Sequence, residues 1–225
     1  MPYLRDTVFI LKKEPYREHD RRYYLYGREH GLLIAVARGA SSHKSKQAGH
    51  LEPFSQAQVM IAKGASFDKL AVAKADASYP VHRTSYLANY AVMGSFSDLM
   101  VKLLRPGVAD ERVFDLLQEA GSALAELPRE PSADRSRLFL SAATLKLLDL
   151  LGFAPPVHAS PEFTTPVQSL ALVSFMRRAP LADVLRLTGQ TDIFRAASAF
   201  VDEALKNTHL EREPRYAEAI YALLG

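Results

Sequence analysis

Thr7-Val8-Phe9-Ile10-Leu11-Lys12, Arg22-Tyr23-Tyr24-Leu25-Tyr26, Leu32-Leu33-Ile34-Ala35-Val36-Ala37, Ala57-Gln58-Val59-Met60-Ile61-Ala62 and Lys69-Leu70-Ala71-Val72-Ala73-Lys74 follow one another early in a chain of 225 residues. Each run is short, carries β-branched or aromatic residues, and ends at a turn signal. The turns are Glu14-Pro15, Glu29-His30-Gly31, the Gly39 to Gly49 segment and Lys63-Gly64-Ala65-Ser66. Five strands are predicted. Side chains alternate along a strand, so Tyr24 and Tyr26 face one way while Tyr23 and Leu25 face the other. One set belongs to a core and the other is available to a ligand.

Five short strands spaced this closely suit a small closed barrel. The OB-fold is the five-stranded barrel that most often holds single strands and oligomeric ligands. An SH3-like barrel or a small sandwich satisfies the same pattern. After Tyr79-Pro80 the period changes to that of helices. Residues 83 to 104 place Leu87, Tyr90, Met93, Phe96, Met100 and Leu103 at helical spacing, ended by Pro106-Gly107. Further helices are predicted over 109 to 127 and 134 to 151, the latter capped by Gly152. Helical spacing resumes over 165 to 176, 180 to 187, 193 to 206 and 216 to 224, after a Pro- and Ser-rich connector near 152–166. The expected class is α+β: a barrel domain over 1–80, then an all-helical domain over 81–225.

Charge separates the same two parts. Residues 1 to 80 hold 13 Lys and Arg against 8 Asp and Glu, whereas the remainder holds 15 against 17. A basic barrel beside a mildly acidic helical part points to a polyanion as the barrel's ligand, because neutralised phosphates release counterions whatever the base sequence. The chain has no cysteine, which excludes disulfides, a thiol nucleophile and a cysteine zinc module and fits a reducing cytoplasm. The apolar run Val8 to Leu11 is too short for a signal peptide, and no uncharged apolar stretch reaches membrane-spanning length. A cytoplasmic protein with no membrane partner is expected, without metal or cofactor.

Several short motifs then stand in a specific order: Tyr16-Arg17-Glu18-His19-Asp20-Arg21, Arg28-Glu29-His30-Gly31, Ala37-Arg38-Gly39-Ala40, Lys44-Ser45 and Leu51-Glu52-Pro53-Phe54. Their succession within the five-strand pattern resembles the bacterial RecO family. The resemblance extends more loosely through Tyr86 to Leu104 and Leu147-Leu148-Asp149-Leu150-Leu151-Gly152-Phe153-Ala154-Pro155. It implies an N-terminal OB-fold, a helical domain, binding of single- and double-stranded DNA, and annealing of complementary strands. It also implies two protein partners, RecR and the acidic C-terminal tail of the single-stranded DNA-binding protein (SSB), with a role in loading RecA at gaps and a nucleoid location. Two features depart from the family pattern. His158-Ala159-Ser160-Pro161-Glu162 stands where many relatives carry a four-cysteine zinc module, and Ser41-Ser42 stands where relatives tend to have further arginines.

Phosphate binding needs long cationic side chains on an accessible face, and single strands gain further from aromatic faces on which bases stack. The basic candidates are Arg5, Lys12, Lys13, Arg17, Arg21, Arg22, Arg28, Arg38, Lys44 and Lys46; Tyr24 is the aromatic candidate chosen from Tyr16, Tyr23, Tyr24 and Tyr26. Arg38, Lys44 and Lys46 lead, because the Gly39 to Gly49 segment is polar and free of acids. Glu52-Pro53-Phe54 is read as a turn that packs Phe54 on the barrel. Arg177-Arg178, beside Leu172, Val173, Phe175 and Met176, suits an acidic, aromatic-ended tail, with capping of a helix C-terminus as the alternative. Phosphate-loop, nucleophile-elbow and zinc-protease motifs are absent from the sequence. His19 and His30 are assigned to turn hydrogen bonding rather than hydrolysis. A non-enzymatic DNA-binding protein is therefore expected; a RecR-binding scaffold or a generic OB-fold module for RNA or protein is the alternative.

Overall fold

The computed structural model describes residues 2–40, 51–75, 87–126, 132–157 and 166–208. Lys44, Lys46, Ser41-Ser42, His158 to Glu162 and the helix expected over 216 to 224 lie outside the described residues. Five strands form: β1 (Tyr3–Pro15), β2 (Arg21–Gly27), β3 (Gly31–Ala37), β4 (Gln56–Ala62) and β5 (Asp68–Ala75). They close into a barrel in the order β1-β2-β3-β5-β4.

Closure depends on the length of β1. Its first half pairs antiparallel with β4, from Tyr3 opposite Ala62 to Phe9 opposite Gln56. Its second half pairs with β2, and the register slips between Ile10 and Lys12. A bulge of this kind bends a strand and increases its twist, which lets one strand serve two neighbours around a small barrel. The last seam is short and parallel, with Ala35 opposite Asp68 and Val36 opposite Lys69.

Alternation fills the interior. Val8 and Ile10, Tyr23 and Leu25, Leu33 and Ala35, and Val59 and Ile61 project into one buried cluster with Leu51, Leu70 and Ala73. Phe54, held at φ +67 by the turn that Ser55 closes onto the Glu52 carbonyl, is 3% exposed and packs as the sequence reading expected. The opposite parity does not simply face water, since Phe9, Tyr26 and Leu32 are equally buried.

Their cover comes from the helices. Six are described: α1 (Leu87–Leu103), α2 (Glu111–Ala125), α3 (Ala133–Leu150), α4 (Val167–Arg178), α5 (Leu181–Leu185) and α6 (Thr191–Asn207). By contacts the chain forms two compact units, Met1–Arg83 with Ser97–Leu117, and Thr84–Phe96 with Gln118–Gly225. Ser97–Leu117, which the periodicity groups with the helices, therefore clusters with the barrel. Phe114 lies 5.0 Å from Phe9, and Pro106 bridges to Leu32. The Tyr26 hydroxyl donates to the Asp110 carbonyl at 3.0 Å and accepts the Asp110 N–H at 3.1 Å. Gly31, at φ +63, permits this approach: a Cβ there would lie 2.0 Å from the Val108 carbonyl oxygen.

Within the second unit α3 is the central element, burying Leu138, Phe139, Ala142, Leu145 and Leu148, and it packs with α4, α5 and α6. Ser132 caps its N-terminus by accepting the Arg135 N–H. At the other end Gly152 takes φ +80, the Phe153 N–H reaches the Leu148 carbonyl at 2.8 Å and the Gly152 N–H reaches the Asp149 carbonyl at 3.1 Å. This is a Schellman ending at the glycine that the sequence marks as the cap.

Candidate nucleic-acid interface

The loop between β1 and β2 is a tight turn, closed by the Tyr16 N–H on the Asp20 carbonyl at 3.1 Å. Asp20 Oδ1 accepts the Gly39 N–H at 3.0 Å, so this loop is tied to the end of β3. That bond gathers Arg17, Arg21 and Arg22 with Arg38 at one end of the barrel. Arg17 and Arg38 are exposed and Arg21 is half-exposed. Among the described residues no carboxylate lies within ion-pairing distance of Arg17, Arg21 or Arg38.

Arg17 sits at φ +103, outside the conformations that side chains favour. Its guanidinium lies 5.4 Å from the Tyr16 ring centroid and 5.7 Å from that of Phe67, which enters from the β4–β5 loop. Arg22 lies over Tyr16 at 4.5 Å and Lys69 over Phe67 at 5.9 Å. The two rings meet edge to face with centroids 6.1 Å apart. Arg22 also pairs with Glu14 at 3.1 Å, and its pKa is raised, first through the hydrogen bond with the Tyr24 hydroxyl. It stays charged at any working pH.

The remaining basic candidates are placed elsewhere or already paired. Lys12 bonds Asp98 at 2.8 Å and Lys13 bonds Glu52. Arg28, after the far end of β2, stands roughly 23 Å along the strand from Arg21 at about 3.3 Å per residue. It pairs with Glu111 and Asp115 and stacks on Phe114 at 4.4 Å, anchoring α2. Arg5 lines a separate groove of about 530 Å³ with Lys74, over Met60 and Val72. Tyr24 faces outward, half-buried, its hydroxyl donating to Glu14 at 3.0 Å; Tyr26, of the same parity, is committed to Asp110.

His30 does what its turn requires. Its Nδ1 lies 3.0 Å from the buried Asp6 carboxylate, which also accepts the Glu29 and His30 N–H groups. Gly27 leaves room for that carboxylate, since a Cβ would lie 2.1 Å from Asp6 Oδ2. His19 is exposed. No cluster of three metal-ligating side chains occurs among the described residues, and none of the described helices is long and apolar enough to cross a membrane. In the helical unit Arg177 pairs with Asp149 at the last turn of α4, while Arg178 and Phe175 are exposed; Val173 and Met176 are buried.

Sequence reading missed Phe67 and Lys69 as site residues. Their only local signal is an aromatic residue beside Ser66 in a turn, and their meeting with Tyr16 and Arg17 is a product of barrel closure.

Strand order and closure make this an OB-fold protein, whose β1–β2 and β4–β5 loops meet at the barrel end where, among the described residues, Arg17, Arg21 and Arg38 have no carboxylate partner. The family model for the recombination protein O N terminal matches residues 1–79. A DNA repair protein RecO of Bifidobacterium adolescentis is 30% identical over 173 residues, covering 75% of this chain and 67% of the relative. RecO proteins of Gloeothece citriformis and Acaryochloris marina are 30% and 33% identical, covering 76% and 68% of this chain. The alignments span 59% and 50% of those two relatives, so the chain matches between half and two thirds of the length of these curated proteins. The chain belongs to the RecO family of DNA repair proteins.

Proposed function

We propose that the barrel end bearing Arg17, Arg21, Arg22 and Arg38 binds the phosphates of single- and double-stranded DNA, and that the protein acts in recombinational repair without bond chemistry of its own. Lys44 and Lys46 follow Arg38 in sequence and extend the same cationic segment. The observation that carries this reading is a contrast within one barrel. Lys12, Lys13 and Arg28 spend their charge on carboxylates, whereas among the described residues Arg17, Arg21 and Arg38 meet no carboxylate, Arg17 lying instead over two aromatic rings at the loop end. In this reading the protein anneals complementary strands and, with RecR, helps load RecA on gaps covered by SSB in the cytoplasmic nucleoid. The barrel domain over 1–80 supplies the nucleic-acid surface. The helical domain over 81–225 supplies partner contacts, with exposed Arg178 beside Phe175 as the landing point for an acidic tail and Arg177 braced by Asp149.

The test is fluorescence anisotropy of labelled single-stranded DNA across a salt series. Each phosphate contact to a single strand adds about 0.7 to the log–log salt slope. An Arg21→Ala, Arg38→Ala variant is expected to lower that slope by about 1.4 if each arginine meets one phosphate. Absence of wild-type binding at low salt refutes the DNA reading and favours a RecR-binding scaffold. A preference for RNA without annealing favours a generic OB-fold module.

A further inference from the structure

Charge explains attraction to any nucleic acid but not a preference between single strands and duplexes. At the arginine-rich end of the barrel, two half-buried rings stand among the cations. Tyr16 comes from the β1–β2 loop and Phe67 from the β4–β5 loop, with centroids 6.1 Å apart and planes inclined by 62°. Neither ring belongs to the buried cluster inside the barrel. Both rings carry cations: Arg22 and Arg17 on Tyr16, Arg17 and Lys69 on Phe67.

We propose that Tyr16 and Phe67 form a base-stacking site that takes two successive unpaired bases and sets a preference of this protein for single-stranded over duplex nucleic acid. The proposal rests on the nucleic-acid reading of this barrel end and adds the residues that discriminate. An aromatic face accepts any base, but only a base whose own faces are free, and in a duplex those faces are already stacked. The inclination of the rings means that the two bases are splayed rather than continued in one column. Arg17 is central because its single guanidinium caps both rings. Its positive φ directs the side chain there from the tip of the loop, a strained placement of the sort that structures retain where function uses it. When a phosphate arrives, the guanidinium has a stronger partner than a ring face, and its move to the phosphate frees the part of each ring that it covers, while Arg22 stays over Tyr16 and Lys69 over Phe67. Phosphate binding and base stacking are therefore coupled through one side chain.

The chain contains no tryptophan, so Phe67→Trp installs a single fluorescent reporter in the site itself. A dT oligonucleotide is expected to quench and shift its emission, while a blunt duplex of equal charge leaves the emission unchanged even where anisotropy reports duplex binding. In parallel, Tyr16→Leu, Phe67→Leu keeps apolar bulk at both positions. It is expected to lose about 5- to 150-fold in single-strand affinity per base no longer stacked and less than about twofold in duplex affinity. Strand binding without tryptophan quenching overturns the stacking site, as does an equal loss for single strand and duplex in the leucine variant. Wild-type protein that binds neither form at low salt sinks the nucleic-acid reading itself, an outcome distinct from both.

Discussion

Replacing Tyr26 by phenylalanine removes one oxygen from a side chain that has no exposed surface and leaves its ring packing in place. That oxygen makes two bonds to one residue, donating to the Asp110 carbonyl at 3.0 Å and accepting the Asp110 N–H at 3.1 Å. Asp110 caps α2, its Oδ1 accepting the Arg112 N–H at 2.9 Å, so the hydroxyl ties β2 to the start of that helix. At about 0.5–1.5 kcal/mol for each bond, Tyr26→Phe is expected to cost about 1–3 kcal/mol. Urea denaturation at neutral pH measures it, and amide exchange at Asp110 and Arg112 localises it. A second arm uses ionisation. Burial raises the Tyr26 phenol above its ordinary 10.0, against the hydrogen bond with the Asp110 backbone, which lowers it. The unfolded phenol therefore ionises first, and its contribution is whole below about pH 10 and lost as pH rises through the higher folded value. The stability gap between wild type and Tyr26→Phe should narrow above pH 10, while Tyr23, also raised by burial, titrates in both proteins. A gap within error of zero at pH 7, or one that stays constant to pH 11, refutes the reasoning.

Gly31→Ala meets both a positive φ and a carbonyl oxygen 2.0 Å from the new Cβ, so a loss of at least about 2 kcal/mol is expected; a wild-type melting temperature would contradict it. Arg17→Gly relieves the φ of +103 and should leave thermal stability equal or raised by up to about 1 kcal/mol, while weakening single-strand binding in the anisotropy assay. Arg28→Ala and Arg38→Ala should dissociate. The first is expected to lower stability by about 1 kcal/mol, through lost contacts to Glu111, Asp115 and Phe114, with an unchanged salt slope; the second should lower the slope with unchanged stability. Arg178→Glu should weaken binding of an acidic, aromatic-ended peptide in calorimetry, and equal affinity removes that surface from the reading.

Local pattern carried much of the architecture. Period-two alternation with turn residues between the runs located all five strands, and alternation within Arg22 to Tyr26 divided Tyr23 and Leu25 from Tyr24 and Tyr26 without saying which pair faces the core; the first pair turns inward, and Tyr26 of the second is buried as well. The six described helices and the Gly152 cap were equally legible, because spacing of apolar residues and an αL-tolerant residue are properties of a few consecutive positions. The family motifs are local strings too, and they pointed to the family that the comparisons then established.

What the sequence alone determined about this protein is its element types, their order, a basic barrel followed by helices, and the RecO resemblance. Tertiary structure decided which cations remain available. Lys12, Lys13 and Arg28 look like Arg21 and Arg38 in sequence, but their partners Asp98, Glu52 and Glu111 are 86, 39 and 83 residues away along the chain. It also decided that Tyr26, outward by parity, is buried under Ser97–Leu117, and that Phe67 meets Tyr16 across loops from different strands. Strand and helix periods are written in neighbouring residues, whereas charge pairing and ring stacking depend on distances in space, and here barrel closure and helix docking set those distances.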